Sequence, residues 1–261
     1  MSVRPPSPYR RRRPMEIYRG EIELLDYVFY ATVERGKVYE TGAFLHNYAL
    51  TYALGLVRGE TYTYARLVQQ PYYAEELTPL NGRIYITPGE AVHVSHRLVQ
   101  WNTLRETYAF PGKPPSLGYP DWGFARVLRP GSRFRCYVLV NEKAELPSEA
   151  SLTGLLNGQA VRIRLGKFPG KARLRLKKAD KVTQEQDDFQ SELLLNWRDL
   201  GNDPVFCDVL AASLPTRLIS RARFAATDHY IAHFGEEKVC LPAAMAFLAR
   251  EVQTKRSRRR R

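Results

Sequence analysis

The stretch from Val161 to Lys178 reads VRIRLGKFPGKARLRLKK, and its residue types alternate in a way suited to gripping a phosphate backbone. Folded as two strands, it places Val161, Ile163 and Leu165 on one face with Ala172, Leu174 and Leu176. Arg162, Arg164, Arg173, Arg175 and Lys177 then fall on the opposite face. The loop GKFPG carries Gly166 and Gly170, whose missing side chains let backbone amides approach a ligand. Lys167 and Lys171 sit at its ends and Phe168 at its tip, where an apolar ring is costly unless a base or a partner covers it. Together these features predict a clamp on single-stranded nucleic acid. A solvated edge hairpin guarded by cations is the plain alternative, but edge protection requires neither the glycines nor Phe168. A P-loop fits less well: Gly166-x3-Gly170-Lys171 is one residue short, Ala172 replaces the Ser/Thr, and a strand follows instead of a helix.

The distribution of charge points the same way. The chain has 261 residues and a formal charge of +13, but residues 1–15 carry five arginines and no acid, and residues 251–261 six basic residues and one acid. Without these two arms the body retains about +3, and residues 160–181 alone hold nine basic residues against Asp180. The positive field of the body is therefore local, as a polyanion site requires. With 44% apolar residues the chain can build a core. It contains no apolar run long enough for a membrane span, and three widely separated cysteines, Cys136, Cys207 and Cys240, fit a reducing cytoplasm.

Other residues capable of chemistry read more blandly. His46, in an aromatic segment with Asn47 and Tyr48, has the chemistry of a general base for RNA cleavage, although packing or hydrogen bonding is the commoner use. His93 and His96 fall in one expected strand and point to opposite faces. His229, His233, Cys207 and Cys240 have irregular spacing for zinc, so no metal and no cofactor are expected. Asp187-Asp188 reads as solvated loop. Trp101 lies in loop-like sequence and is a candidate stacking residue.

The elements that must position these residues alternate between strand and helix. Strands are predicted over Glu16–Asp26, with a bulge at Gly20, and over Arg83–Thr87, Ala91–Gln100, Phe134–Val140, Val161–Leu165 and Ala172–Lys177. Weaker strand patterns cover Val205–Leu214 and Val239–Leu241. Helical patterns cover the segment around Phe44–Leu56, Ser148–Leu156 with Ser148 as N-cap, and Pro242–Arg250. This is an α+β pattern, for which a ferredoxin-like antiparallel sheet with helices on one face is the natural expectation. The expected organisation is a disordered basic arm (1–15), one domain (16–250) and a disordered basic tail (251–261).

Several segments carry a specific resemblance: IYRGEIELLDYVFYATVERGKVYETGAFLHNYALTYALGL, YAEELTPLNGRIYITPG, GYPDWGFARVLRPGSRFRCYVL and VRIRLGKFPGKARL. In order and wording they resemble the Cas-five-type (Csc-one) subunit of type I-D CRISPR Cascade complexes. The resemblance implies an RRM-like fold of the RAMP superfamily whose glycine-rich loop is Gly166–Gly170. It implies a cytoplasmic, non-catalytic subunit that caps the crRNA 5′ handle and helps position the PAM end of target double-stranded DNA. Cas-seven-type backbone subunits and a Cas-ten-type large subunit would be its neighbours. The RNA-contacting set is then Arg162, Arg164, Lys167, Phe168, Lys171, Arg173 and Arg175, with His46, Asn47, Tyr48 and Trp101 as candidates for base or sugar contacts. Two rival readings are a metal-independent endoribonuclease processing precursor crRNA and a purely protein-binding assembly subunit.

Overall fold

The computed structural model describes residues 15–35, 38–57, 71–103, 121–146, 150–167, 170–210 and 214–251. In chain order the first half contains β1 (Met15–Leu24), β2 (Val33–Arg35), β3 (Val38–Glu40), β4 (Phe44–Leu45), α1 (Asn47–Ala53), α2 (Tyr73–Leu77), β5 (Ile84–Ile86), β6 (Gly89–His93), β7 (His96–Thr103), β8 (Asp121–Leu128) and β9 (Arg133–Asn141). The second half contains α3 (Ala150–Leu156), β10 (Val161–Leu165), β11 (Gly170–Lys178), β12 (Lys181–Ser191), β13 (Leu195–Asn196), β14 (Phe206–Val209), β15 (Leu218–Phe234) and β16 (Glu237–Pro242). The result is an α+β fold of mostly antiparallel sheet. No helix among the described residues is long and apolar enough to cross a membrane.

The main sheet has seven strands in the order β10-β11-β1-β9-β6-β4, with β5 also pairing β9. Its inner face carries Ile22, Leu24, Phe134, Ile163 and Leu174, all buried, and α1 and α3 pack onto the β10–β11 end. Gly20 is not a bulge: it pairs in unbroken register with Leu176 and Cys136. A Cβ there would stand 2.6 Å from Cys136 Sγ, so the glycine serves close packing.

The chain crosses into a second, five-stranded sheet at Ala179-Asp180. The Ala179 amide donates to Ile17 O in the first sheet, and the Asp180 amide donates to His233 O in the second, both at 2.8 Å. In this sheet β15 is the centre, paired with β12, β13, β14 and β16. Glu237 beyond β15 accepts from Arg19 at 2.8 Å and Arg135 at 2.7 Å, and Arg19 lies over the Phe234 ring, so one end of the main sheet's outer face is covered. The other end stays open. A third sheet, β2-β3-β8-β7, forms a four-stranded wing.

Several expectations need correction. The helix around His46 is shorter than its aromatic period suggests, because Phe44 and Leu45 pair with β6 as a strand. His93 and His96 end and begin different strands in different sheets, split at Val94-Ser95. The polar run containing Asp187-Asp188 is strand β12, not loop; as an outer strand, exposed along much of its length, it needs no apolar alternation. Pro242–Leu248 is not helical, and helix begins only at Ala249. Pro242 closes β16, turns follow, Met245 bridges to Leu200, and Leu248 adopts a left-handed φ of 56°. Ser148 and both ends of the chain up to residue 14 and from residue 252 lie outside the described residues.

Candidate nucleic-acid interface

The hairpin β10–β11 forms as the alternation predicts. Ile163, Leu165, Ala172, Leu174 and Leu176 are buried, while Arg162, Arg164, Lys171, Arg173 and Arg175 are exposed. Register then separates the cations. Arg173 and Arg175 face Glu23 and Glu21 across β11–β1, and Arg173 is ion-paired to Glu23. Arg162 and Arg164 face only Arg173 and Lys171. Among the described residues Arg162, Arg164, Lys167 and Lys171 form no ion pair. Like charges are directly opposed across β10–β11, Arg162 with Arg173 and Arg164 with Lys171, at the outer edge of the sheet, where an anion relieves the repulsion.

The loop between the strands corrects one expectation. Its glycines do not open the backbone to a ligand; they close it onto the segment after β1. A Cβ on Gly170 would stand 2.5 Å from Tyr27 O, and one on Gly166, whose φ is +92°, would stand 3.0 Å from Phe29 O. The Lys167 amide donates to Phe29 O at 2.8 Å, and Lys171 O accepts from the amides of Leu25 and Asp26. The loop is thus anchored with the Lys167 and Lys171 side chains exposed. Phe168 lies outside the described residues. Gly170→Ala is expected to cost about 2 kcal/mol in urea denaturation, because the obstructing atom is backbone and cannot rotate away.

Beside β10 lies a cleft of about 680 Å³, within the usual range of small-ligand pockets. Arg162, Arg164 and Gly166 line one side, and His46, Tyr48, Tyr52 and Tyr73 contribute rings to the other. The rings are mutually packed, with Tyr48 and Tyr73 centroids 5.0 Å apart and His46 edge-on to Tyr48 at 4.8 Å. A cleft lined by both arginines and aromatic residues suits a base and its phosphate.

The floor of the cleft is held from behind by a directional chain of buried hydrogen bonds. His46 caps α1, its Nδ1 accepting from the Tyr48 amide at 3.3 Å. Its Nε2–H therefore donates to Thr216 Oγ1 at 2.8 Å. Thr216 donates to Asn196 Oδ1 (2.7 Å), Asn196 to Asn47 Oδ1 (3.0 Å), and Asn47 to Asp199 Oδ2 (2.7 Å). Tyr48 OH and Tyr85 OH also donate to the Asp199 carboxylate, at 2.8 and 3.1 Å, as does the Leu248 amide at 2.8 Å. Burial lowers the His46 pKa to about 3 and raises that of Asp199 to about 6. His46 is thus neutral with both ring nitrogens engaged, a poor arrangement for a base acting on RNA.

The structure brings His46, Tyr48, Arg162 and Arg164 to one cleft. Asn47 does not join them as an RNA-contacting residue: it is fully buried with both amide atoms bonded inside the protein, so it positions its neighbours. The backbone of Trp101 lies in β7 of the wing, paired with Gly123. Asn196, Asp199 and Thr216 escaped the sequence reading. The signal for two of them was polar residues set inside an apolar run, LLLNWRDL.

A family model described as "Type I-D CRISPR-associated protein Cas5/Csc1" matches residues 15–250. Among solved structures, a chain from "Cryo-EM structure of the Type III-B Cmr-beta bound to cognate target RNA and AMPPnP, state 1" is similar at a TM-score of 0.43 and 12% identity, covering 79% of this chain and 84% of that one. A chain described as "Crystal structure of a CRISPR protein from Archaeoglobus fulgidus" is similar at 0.42 and 12% identity, covering 87% of this chain and 99% of that one. No curated protein gives a significant sequence match.

Proposed function

The chain belongs to the type I-D CRISPR-associated Cas5/Csc1 family, and from that membership we propose that it is a non-catalytic subunit of an RNA-guided effector complex, capping the 5′ handle of the crRNA. The observation that carries this reading is the meeting, at one edge of the main sheet, of unpaired cations with an aromatic cleft. Arg162, Arg164, Lys167 and Lys171 hold handle phosphates, and the Tyr52–Tyr73 wall, backed by buried Tyr48, receives a displaced base. In this reading the main sheet with α1 and α3 is the ferredoxin-like, RRM-like unit of the RAMP group, and Gly166–Gly170 is its glycine-rich loop. Assembly with Cas-seven-type and Cas-ten-type subunits near the PAM end of target DNA belongs to the same proposal. Val205, Phe206 and Val209, exposed around β14, provide apolar surface for a protein neighbour.

The absence of catalysis is part of the proposal. It is supported by the engagement of both His46 nitrogens and by the burial that keeps the ring neutral. Purified protein incubated in EDTA with a repeat-containing precursor RNA is expected to bind it and leave it intact. Specific cleavage that is lost in His46→Gln would replace this reading with the endoribonuclease. Ultraviolet crosslinking of the assembled complex tests the handle contact directly: peptides from 162–175 should carry handle nucleotides. A chain that assembles normally without any crosslink would be a protein-binding subunit instead.

A further inference from the structure

On the second sheet, away from the hairpin, three potential metal ligands converge. Glu185 and Asp187 lie two residues apart on β12, and His229 faces Glu185 across the β12–β15 ladder. One ligand atom from each lies within 4.8 Å of the others, a grouping found once among the described residues. We propose that Glu185, Asp187 and His229 form a binding site for one divalent transition-metal ion, with Zn²⁺ as the best-matched occupant.

The histidine is the decisive ligand, since exposed carboxylates alone are common. His229 is 2% exposed, and its Nδ1 lies 3.1 Å from Thr227 O, so Nδ1 holds the proton and donates it. Nε2 is left as the unprotonated nitrogen. Among the described residues it accepts no hydrogen bond, and its nearest partner, Asp187 Oδ1 at 3.6 Å, is itself an acceptor. The side chain is thus almost wholly enclosed, yet its free lone pair points toward a carboxylate oxygen, an arrangement of two acceptors that a cation between them satisfies. A backbone carbonyl on Nδ1 is also the outer contact that orients metal-binding histidines.

Local structure fixes the ring and aims the acids. Phe189 stacks on His229 with centroids 4.1 Å apart and planes 17° from parallel, and Phe224 stacks on Phe189 in turn. The ladder register slips between Asp187 and Phe189, and the Ala226 amide donates to Asp188 Oδ1 at 2.8 Å across this irregularity. Such bulges re-aim side chains beside functional sites. With metal–ligand bonds of roughly 2 Å, two ligands of a tetrahedral ion stand about 3.3 Å apart, close to the observed His229–Asp187 separation. One imidazole and two carboxylates suit Zn²⁺ or Mn²⁺ and leave a position for water. The set differs from the His229, His233, Cys207, Cys240 grouping whose irregular spacing argues against zinc in the sequence, which leads to no expected metal. It keeps His229 and takes its other ligands from a strand whose sequence reads as loop.

The test uses the full-length chain, stripped with chelator and titrated with Zn²⁺ by calorimetry, in a Cys207→Ser, Cys240→Ser background that removes competing thiols. One equivalent should bind at micromolar or tighter Kd, with a rise in Tm of several degrees. Asp187→Asn and Glu185→Gln are surface changes that leave the fold intact, and each should weaken binding at least tenfold without altering affinity for handle RNA. Absence of binding, or binding unchanged in both variants, overturns the site.

Discussion

Replacing Arg162, Arg164 and Lys171 together with alanine is expected to weaken binding of crRNA-handle RNA about 100-fold near physiological salt and to flatten its salt dependence. The logarithmic salt slope falls by roughly 0.7 for each single-strand phosphate that the protein no longer neutralises, so removing three cations should lower it by about 2. Arg173→Ala, by contrast, should change affinity no more than about threefold, because Arg173 is ion-paired to Glu23 across the register and is already partly neutralised. Stability should move by under about 0.5 kcal/mol in both variants, since these side chains are exposed. The difference between the triple variant and Arg173→Ala is the informative quantity. A uniform basic face would lose affinity in proportion to the charge removed; a site at the β10 edge would not. An unchanged slope in the triple variant would remove the hairpin from the RNA site.

That distinction is invisible in the sequence, which shows the alternation of the hairpin but not its neighbours. Alternation names the correct exposed set because one strand face is buried and side chains repeat with period two. Which cations are compensated depends on Glu21 and Glu23, some 150 residues earlier in the chain, and only the pairing of β1 with β11 brings them opposite. The same limit explains why β12 and β15 of the second sheet are missed, although the weaker strand patterns at Val205–Leu214 and Val239–Leu241 coincide with β14 and β16. In β15 the buried positions run Ala222, Phe224, then Thr227, His229, Ile231, so the phase flips at Ala225-Ala226, where Ala226 has a left-handed φ of 45°. A periodicity count across that flip cancels itself. Its partner β12 is polar along its exposed length and gives no apolar signal at all. The glycines of the Gly166–Gly170 loop are legible as a special place but not as to their purpose, because the atoms they make room for, in Tyr27 and Phe29, belong to another segment.

Asp199 is where the largest loss of stability is expected. Asp199→Ala strands four buried donors, from Asn47, Tyr48, Tyr85 and Leu248, and leaves a cavity. Each orphaned donor costs about 1–3 kcal/mol, offset in part by hydroxyl rotation, so a net loss of about 3–5 kcal/mol is expected in urea denaturation at pH 7. Asp199→Asn, which keeps the shape but turns one acceptor into a donor, should lose roughly 2 kcal/mol there. The pH dependence separates the charge from the shape. Burial raises the Asp199 pKa to about 6, above its unfolded value, so its protonated form favours folding and that benefit disappears as pH rises through 6. Burial lowers the His46 pKa to about 3, below its unfolded value near 6.5, so its benefit is complete above pH 6.5 and is lost as pH falls toward 3. Between pH 4 and 6 the two contributions have opposite slopes and nearly cancel in the wild-type chain. Asp199→Asn removes one of them, leaving His46 unopposed. Relative to wild type, the variant should therefore lose about 1 kcal/mol more for each unit that pH falls from 6 to 4. Parallel stability curves for the two proteins over that range would mean that Asp199 is not the titrating group of the buried chain, and that its hydrogen bonds alone hold the cleft floor.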